Sequence, residues 1–300
     1  MSSNPPQPAA ALPDARPSSS LLSLALGLVS AIANLGNLLI VKTSEFGEFV
    51  RFCMRVFAGL LSVRSWIRRD RLGQQLFFVG TMSMHVVMLT GGFIGMILAF
   101  EGYRQFQTIG QEARLGGVIN LSMVKQIGPV LCAVMLAGRV GCSLAAELGS
   151  MRVTEQLDAM RAMGSDPIRV LVVPRFVACV VMIPGLTVAS NLCGVLGGWL
   201  VITKFYGADA EQYFRFSEQF ISWFDVMNGL VKSLFFGGAI GMISCWKGFE
   251  CKAGAAGVGE ATTNAFVTSF LTIIVMSLVL AKLLNDVEFW MYGGVQSVFG

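Results

Sequence analysis

Three hundred residues carry 54% apolar side chains, only 13% charged ones and a net charge of +4. Charged residues make up about 25% of an ordinary soluble domain, and a mean hydropathy of +0.67 leaves too little polar surface to coat one. The composition predicts an all-α integral membrane protein, and no basic stripe with interleaved aromatics points to nucleic acid as a partner.

Residues 1–20, rich in Pro, Ser and Ala, read as a disordered tail. The uncharged run 21–41 is long enough to span a bilayer. Three readings compete for it: a signal peptide, a sixth span, or an interfacial helix. The last rests on Ser23, Gly27, Ser30, Asn34 and Asn37, which form a polar stripe on one helix face. The following segment is more plainly amphipathic. Glu45, Glu48, Arg51 and Arg55 face away from Phe46, Phe49, Cys53, Val56 and Leu60, so 21–71 is expected to be an interfacial helical segment.

The arginine-rich stretch "RSWIRRDR" (64–71) is the strongest topology signal and predicts a cytoplasmic position. Five spans are expected over 76–100, 116–147, 171–203, 226–246 and 262–284, making 72–300 a transmembrane domain. With 64–71 inside, parity places 149–170 and 247–261 inside too. The first carries Arg152, Arg161 and Arg169, the second Lys247 and Lys252, while the outside loop 204–225 is net acidic. The N-terminus is then expected in the cytoplasm and the C-terminus outside; a spanning 21–41 would fit the same parity with the N-terminus outside.

Small residues recur at four-residue spacing: Gly91 and Gly95; Ala137, Gly141 and Ala145; Gly194 and Gly198; Gly237 and Gly241. Such spacing lets helices approach closely where lipid offers no hydrophobic drive for association. Ionisable residues at membrane depth are costly and therefore informative. Arg139, Glu147 and Lys232 are expected to be structural links between helices or to snorkel, although Glu147 lies too far along the helix from Arg139 for an ideal pair. Lys125 stands apart, because it precedes "QIGP" and Pro129 removes a backbone donor there. A kinked helix with a cation in its outer half could line a cavity.

The seven cysteines are scattered, without a C-x-x-C pair, and read as small apolar side chains. With His85 the sole histidine, neither a metal site nor a Ser/His/Asp set is expected, and no cofactor is implied. The glycine-rich loop "GFECKAGAAGVGEATT" lacks the G-x-x-x-x-G-K-[ST] order of a phosphate cradle, and the chain has none elsewhere. Catalysis of nucleotide hydrolysis is therefore not expected of this polypeptide.

Between the second and third spans lies "LGSMRVTEQLDAMRAMGSDPIRVLVVPR" (148–175). Arg152, Glu155, Asp158 and Arg161 recur every three residues with methionines interspersed, bracketed by Gly149 and Gly164. This predicts a short helix over about 150–163, too charged to span and patterned like a docking element.

These residues carry a resemblance. The block 128–175, with "GGFIGMILAFEGY" (91–103) and "GAAGVGEATTNAFV" (254–267) in the same order, resembles the MlaE/YrbE-type permeases, membrane subunits of ABC transporters that work with MCE-domain proteins. The resemblance covers roughly 35–285. It implies an interfacial helix, five transmembrane helices and a homodimer in the bacterial inner membrane. A cytoplasmic coupling helix would seat in an ABC ATPase subunit, with a periplasmic MCE-domain protein and, optionally, a small cytoplasmic accessory subunit as further partners. Membrane lipid, usually phospholipid, is the implied cargo. On that reading Arg152, Glu155, Asp158 and Arg161 grip the ATPase. Leu98, Phe106, Ile109, Ile127 and Val130 are the expected lining of a lipid cavity at the dimer interface, at the outer halves of the first and second spans, with Lys125 near a headgroup phosphate. Two departures stand out: Gln126 where the family often has an acid, and Glu260 where it often has a base. Import of a sterol or other hydrophobic compound, a secondary transporter and a non-transporting anchor for an MCE complex are the alternatives.

Overall fold

The computed structural model describes residues 43–61 and 69–292. The tail 1–20, the run 21–41 and most of the arginine-rich stretch 64–71 lie outside the described residues. Contacts divide the chain into Met1–Phe52 and Cys53–Gly300, and the second unit carries the bundle described below.

A helix, α1, covers residues 43–61, and Glu45, Glu48, Arg51 and Arg55 are all exposed on it. Its later part packs on the bundle: Val56 is fully buried, and the Phe57 ring meets Phe176 edge-on with centroids 6.0 Å apart. Five helices are long and apolar enough to cross a membrane: α2 (Leu72–Thr108), α3 (Leu115–Val153), α5 (Ile168–Lys204), α7 (Trp223–Phe249) and α8 (Ala255–Met291). Two short helices join them, α4 (Gln156–Ala162) between α3 and α5, and α6 (Ala210–Phe220) between α5 and α7. No strand occurs among the described residues.

All five spanning helices exceed the expected ranges. Four of them have 37 to 39 residues. At 1.5 Å per residue that is about 56 Å, against an apolar bilayer core of about 30 Å. The excess emerges at the two ends of the bundle, one carrying α4 and the other α6.

The small-residue spacings mark where the helices touch. A Cβ on Gly95 of α2 would collide with the backbone of Gly194 on α5, and Gly91 is equally tight against Ser190. On α7, Gly237 lies against the Cys179 carbonyl, where an added Cβ would come within 2.8 Å, and Gly241 lies against Phe176. Gly141 of α3 meets Ser244 of α7. Dispersion between closely approached backbones thus supplies the packing that lipid cannot drive. A central core forms among Ala133, Leu136, Val140, Ile183, Phe236 and Ile240. In contrast, α8 leaves Leu271, Val275 and Leu278 more than half exposed, so it is the peripheral span.

One expectation is corrected. The charged helix expected over 150–163 is not continuous. Its first residues, through Val153, complete α3; the chain breaks at Glu155, and only Gln156–Ala162 forms α4. Glu155 has φ +58°, the only non-glycine with positive φ among the described residues. The bracketing Gly149 is not a helix stop either; it is buried inside α3, beside Cys251.

The α2–α5 contact gives a direct test. Gly95→Leu forces a side chain into the Gly194 backbone and is expected to cost about 3 kcal/mol or more. Thermal melting of detergent-solubilised protein checks it, with Gly185→Ala, where the added methyl meets open space, leaving the melting temperature near wild type.

Candidate functional site

The most polar region inside the bundle begins with Pro129. Proline has no N–H and cannot donate back along its helix. Just before it, α3 widens into a π-helical turn over Met123–Ile127. Carbonyls freed there need donors, because nothing in lipid supplies them. Helix α7 does: Gly229 lets its backbone close on the Val124 carbonyl, and one turn later Lys232 Nζ donates to Lys125 O at 3.0 Å and to Gln126 Oε1 at 2.7 Å. Lys232 is 1% exposed.

The same widened turn directs Lys125 and Gln126 towards other helices. Lys125 Nζ lies 3.1 Å from Asp225 Oδ1 and 2.9 Å from Glu288 Oε2. Gln126 Nε2 donates to Ser277 Oγ at 2.7 Å. Asp225 also belongs to the start of α7, where its carboxylate accepts from the Ser222 N–H while the Asp225 N–H donates to Ser222 Oγ. That capping box fixes the carboxylate facing Lys125. The centre thus joins α3, α7 and α8 and balances two lysines with two carboxylates. Beside it, the buried Asn228 amide makes no hydrogen bond among the described residues.

Within one chain, the apolar residues expected to line a cavity at the dimer interface occupy three surroundings. Leu98 and Phe106 pack against Ala99, Tyr103, Leu115, Ile119 and Ile202 near the α6 end. Val130 packs on the central core, and Ile127 is half-buried in the widened turn. Ile109 sits at the end of α2, 65% exposed. A half-open cavity of about 510 Å³ does exist at the α6 end, but its walls include Tyr103, Glu112, Tyr206, Asp209, Gln212 and Tyr213. Tyr103 and Tyr206 stack with centroids 3.8 Å apart. Burial pushes the Tyr213 phenol up to about 12, so its hydroxyl stays protonated and donates to Asn120 Oδ1 at 2.8 Å.

At the opposite end, α4 stands out from the bundle on a buried foot, Leu157. Arg152, Glu155, Asp158 and Arg161 are all exposed, as is Met163. The structure brings Asp158 and Arg161 together at 2.7 Å, while Arg152 lies across the break at Glu155, on the end of α3. The return to α5 is a turn in which the Ile168 N–H donates to Asp166 Oδ1.

Of the intramembrane charges, Arg139 is exposed on a second π-helical turn, Ala137–Gly141, with no ion pair among the described residues. Glu147 pairs with Arg175 at 2.7 Å, a residue that sequence reasoning passed over. Arg175 is 6% exposed. No candidate metal cluster of His, Cys, Asp and Glu occurs among the described residues.

Five spanning helices, a charge-balanced polar centre between them and a charged segment projecting at one end define a multi-pass α-helical membrane protein with a polar site inside its bundle. The Permease MlaE family model matches residues 72–283, and the chain belongs to that family. It is 41% identical over 230 residues to a probable ABC transporter permease protein of Synechocystis, covering 77% of this chain and 87% of the relative. It is 34% identical over 214 residues to the intermembrane phospholipid transport system permease protein MlaE of Haemophilus influenzae, covering 71% and 82%. A third relative is the chloroplastic protein trigalactosyldiacylglycerol 1 of Arabidopsis thaliana, at 36% identity over 229 residues, 76% of this chain and 64% of that one.

The polar centre predicts an order of sensitivity. Asp225 is nearly buried and holds both a cap and Lys125, so Asp225→Ala is expected to cost about 3 kcal/mol or more. Glu288 is more exposed, and Glu288→Gln is expected to cost about 1 kcal/mol or less. Melting temperatures of the two variants check the order.

Proposed function

We propose that this chain is the permease subunit of an ATP-driven transporter that moves lipid, phospholipid first among candidates, between the bacterial inner membrane and a periplasmic MCE-domain partner. It works as a homodimer. A separate ABC ATPase docks on the exposed segment around α4 and supplies the hydrolysis for which this chain has no motif. The observation that carries the reading is the family match joined to that exposed segment, which connects two spans and presents Arg152, Glu155, Asp158 and Arg161 to solvent. The positive-inside rule puts α4 in the cytoplasm and the end of α8 in the periplasm.

Lipid handling is assigned to the polar centre. Lys125 is compensated by Asp225 and Glu288, so a headgroup phosphate reaching it must displace a carboxylate. Glu288 is the one that yields, because Asp225 is fixed by its capping box and α8 is the least buried span. Headgroup arrival and release of the end of α8 then become one event. The acyl chains run along the exposed apolar face of α8, which needs no enclosed channel.

The test is reconstitution with the ATPase and MCE-domain partner in proteoliposomes, following lipid transfer with and without ATP. Transfer is expected to require both ATP and this chain; transfer without the ATPase supports a secondary transporter, and none under any condition supports an anchor. The double change Glu155→Arg and Asp158→Arg is expected to abolish co-purification of the ATPase while the chain still folds. An ATPase that stays bound and coupled refutes the docking surface.

A further inference from the structure

Glu147 and Arg175 flank the whole projecting segment. Glu147 is on α3 just before it, Arg175 on α5 just after it, and Arg175 Nη2 donates to Glu147 Oε2 at 2.7 Å. Between them run the last turns of α3, α4 and the first turns of α5, and this ion pair ties the two sides of the neck to each other. Glu147 is the one acceptor that the buried guanidinium has among the described residues. Arg175 is nearly fully buried, and its Nε and Nη1 find no acceptor among the described residues. Glu147 is half exposed and reaches in from the rim.

The neck is also seated on a third helix. On α7, Gly248 lies against Leu148 and Ala145 of α3, where an added Cβ would meet the Leu148 Cβ at 2.7 Å. Gly241 lies against Phe176, the residue after Arg175, at 3.3 Å. The two ends of the segment therefore converge on one rigid surface and are tied to each other across it. Within the segment, the break at Glu155 separates α4 from α3, so a push on α4 does not travel straight up α3 as it would through an unbroken helix.

We propose that Glu147 and Arg175 are the positioning pair for energy coupling. They clamp the neck so that displacement of α4 moves α3 and α5 together rather than bending the loop. This rests on the reading that an ATPase docks at α4, and it adds the element that converts docking into movement. Without the clamp, α4 would yield at Glu155 and at Gly164, which has φ +75°, and the spans would stay still.

The test uses the full complex in lipid nanodiscs. Glu147→Gln with Arg175→Gln replaces the ion pair by a neutral hydrogen-bonding pair and leaves no buried charge unpaired. The docking residues are untouched, so the ATPase is expected to co-purify and hydrolyse ATP at a rate near wild type. Lipid transferred per ATP is expected to fall by about ten-fold or more, and Glu147→Asp, which keeps the charge, to retain most coupling. Unchanged transfer per ATP in the double variant overturns the proposal. A second measurement needs no destabilising change. Spin labels on unnatural amino acids at exposed positions 150 and 169 report the neck width with and without a non-hydrolysable ATP analogue. A constant distance is expected, and a change of about 5 Å, one helical turn, overturns the clamp. An ATPase that fails to bind even the wild-type chain fails the docking reading itself, and the clamp with it.

Discussion

In a bilayer every backbone polar group must find its partner within the protein. Most of this bundle meets that requirement with unbroken helices. Helix α3 departs from that pattern most, with two π-helical turns inside the span, and the polar centre is organised around the first of them. Pro129 and the widened turn before it release carbonyls at membrane depth, and α7 is brought close enough at Gly229 to answer them with Lys232. A lysine enclosed in the bundle for this task is itself a costly polar group. The neighbouring Lys125 with Asp225 and Glu288 extends the problem into a network that ends up neutral. Polar need begins in the backbone and is passed outward through side chains until it balances.

The packing follows the same economy. Helices that share a polar centre must approach closely, and small residues permit it. The glycine and alanine spacings were legible in the sequence because they are local and periodic. So were the five spans and the segment that leaves the membrane, since both are composition signals over many residues. Lys125 and Lys232 were also visible as isolated cations in apolar runs. Their partnership was not, because the residues lie more than a hundred positions apart; the clue lay in Pro129, whose missing donor points four residues back to the Lys125 carbonyl.

Other features had weaker signals. Arg175 sits at the edge of a span, where a basic residue reads as a snorkelling anchor, and only the fold brings it to Glu147. Excluding an Arg139–Glu147 pair on helix geometry was sound, but it left the acid without a partner that lay across the loop. The break at Glu155 has no turn residue to announce it: a glycine or asparagine would have been expected at φ +58°. Cavity lining has the weakest signal, because apolar residues facing a core, a cavity or lipid have the same composition, and within one chain Leu98, Phe106 and Val130 are partly buried beside core clusters.

The two special regions of this molecule lie at opposite ends of one helix. Near the α6 end, α3 carries the lysine-centred polar network; near the α4 end it carries the neck of the projecting segment. One π-helical turn, Met123–Ile127, carries the network and a second, Ala137–Gly141, lies between it and the neck, each a place where the helix already departs from regular hydrogen bonding. A regular helix resists twisting because every bond must stretch together, whereas a π turn adjusts register locally at the cost of one or two bonds. The second turn faces α8 through Gly138 and Phe266, and the first meets α8 through Gln126 and Ser277. Both joints of helix α3 therefore lie against the peripheral span. A displacement entering at one end has defined places to be converted into rotation before it reaches the other.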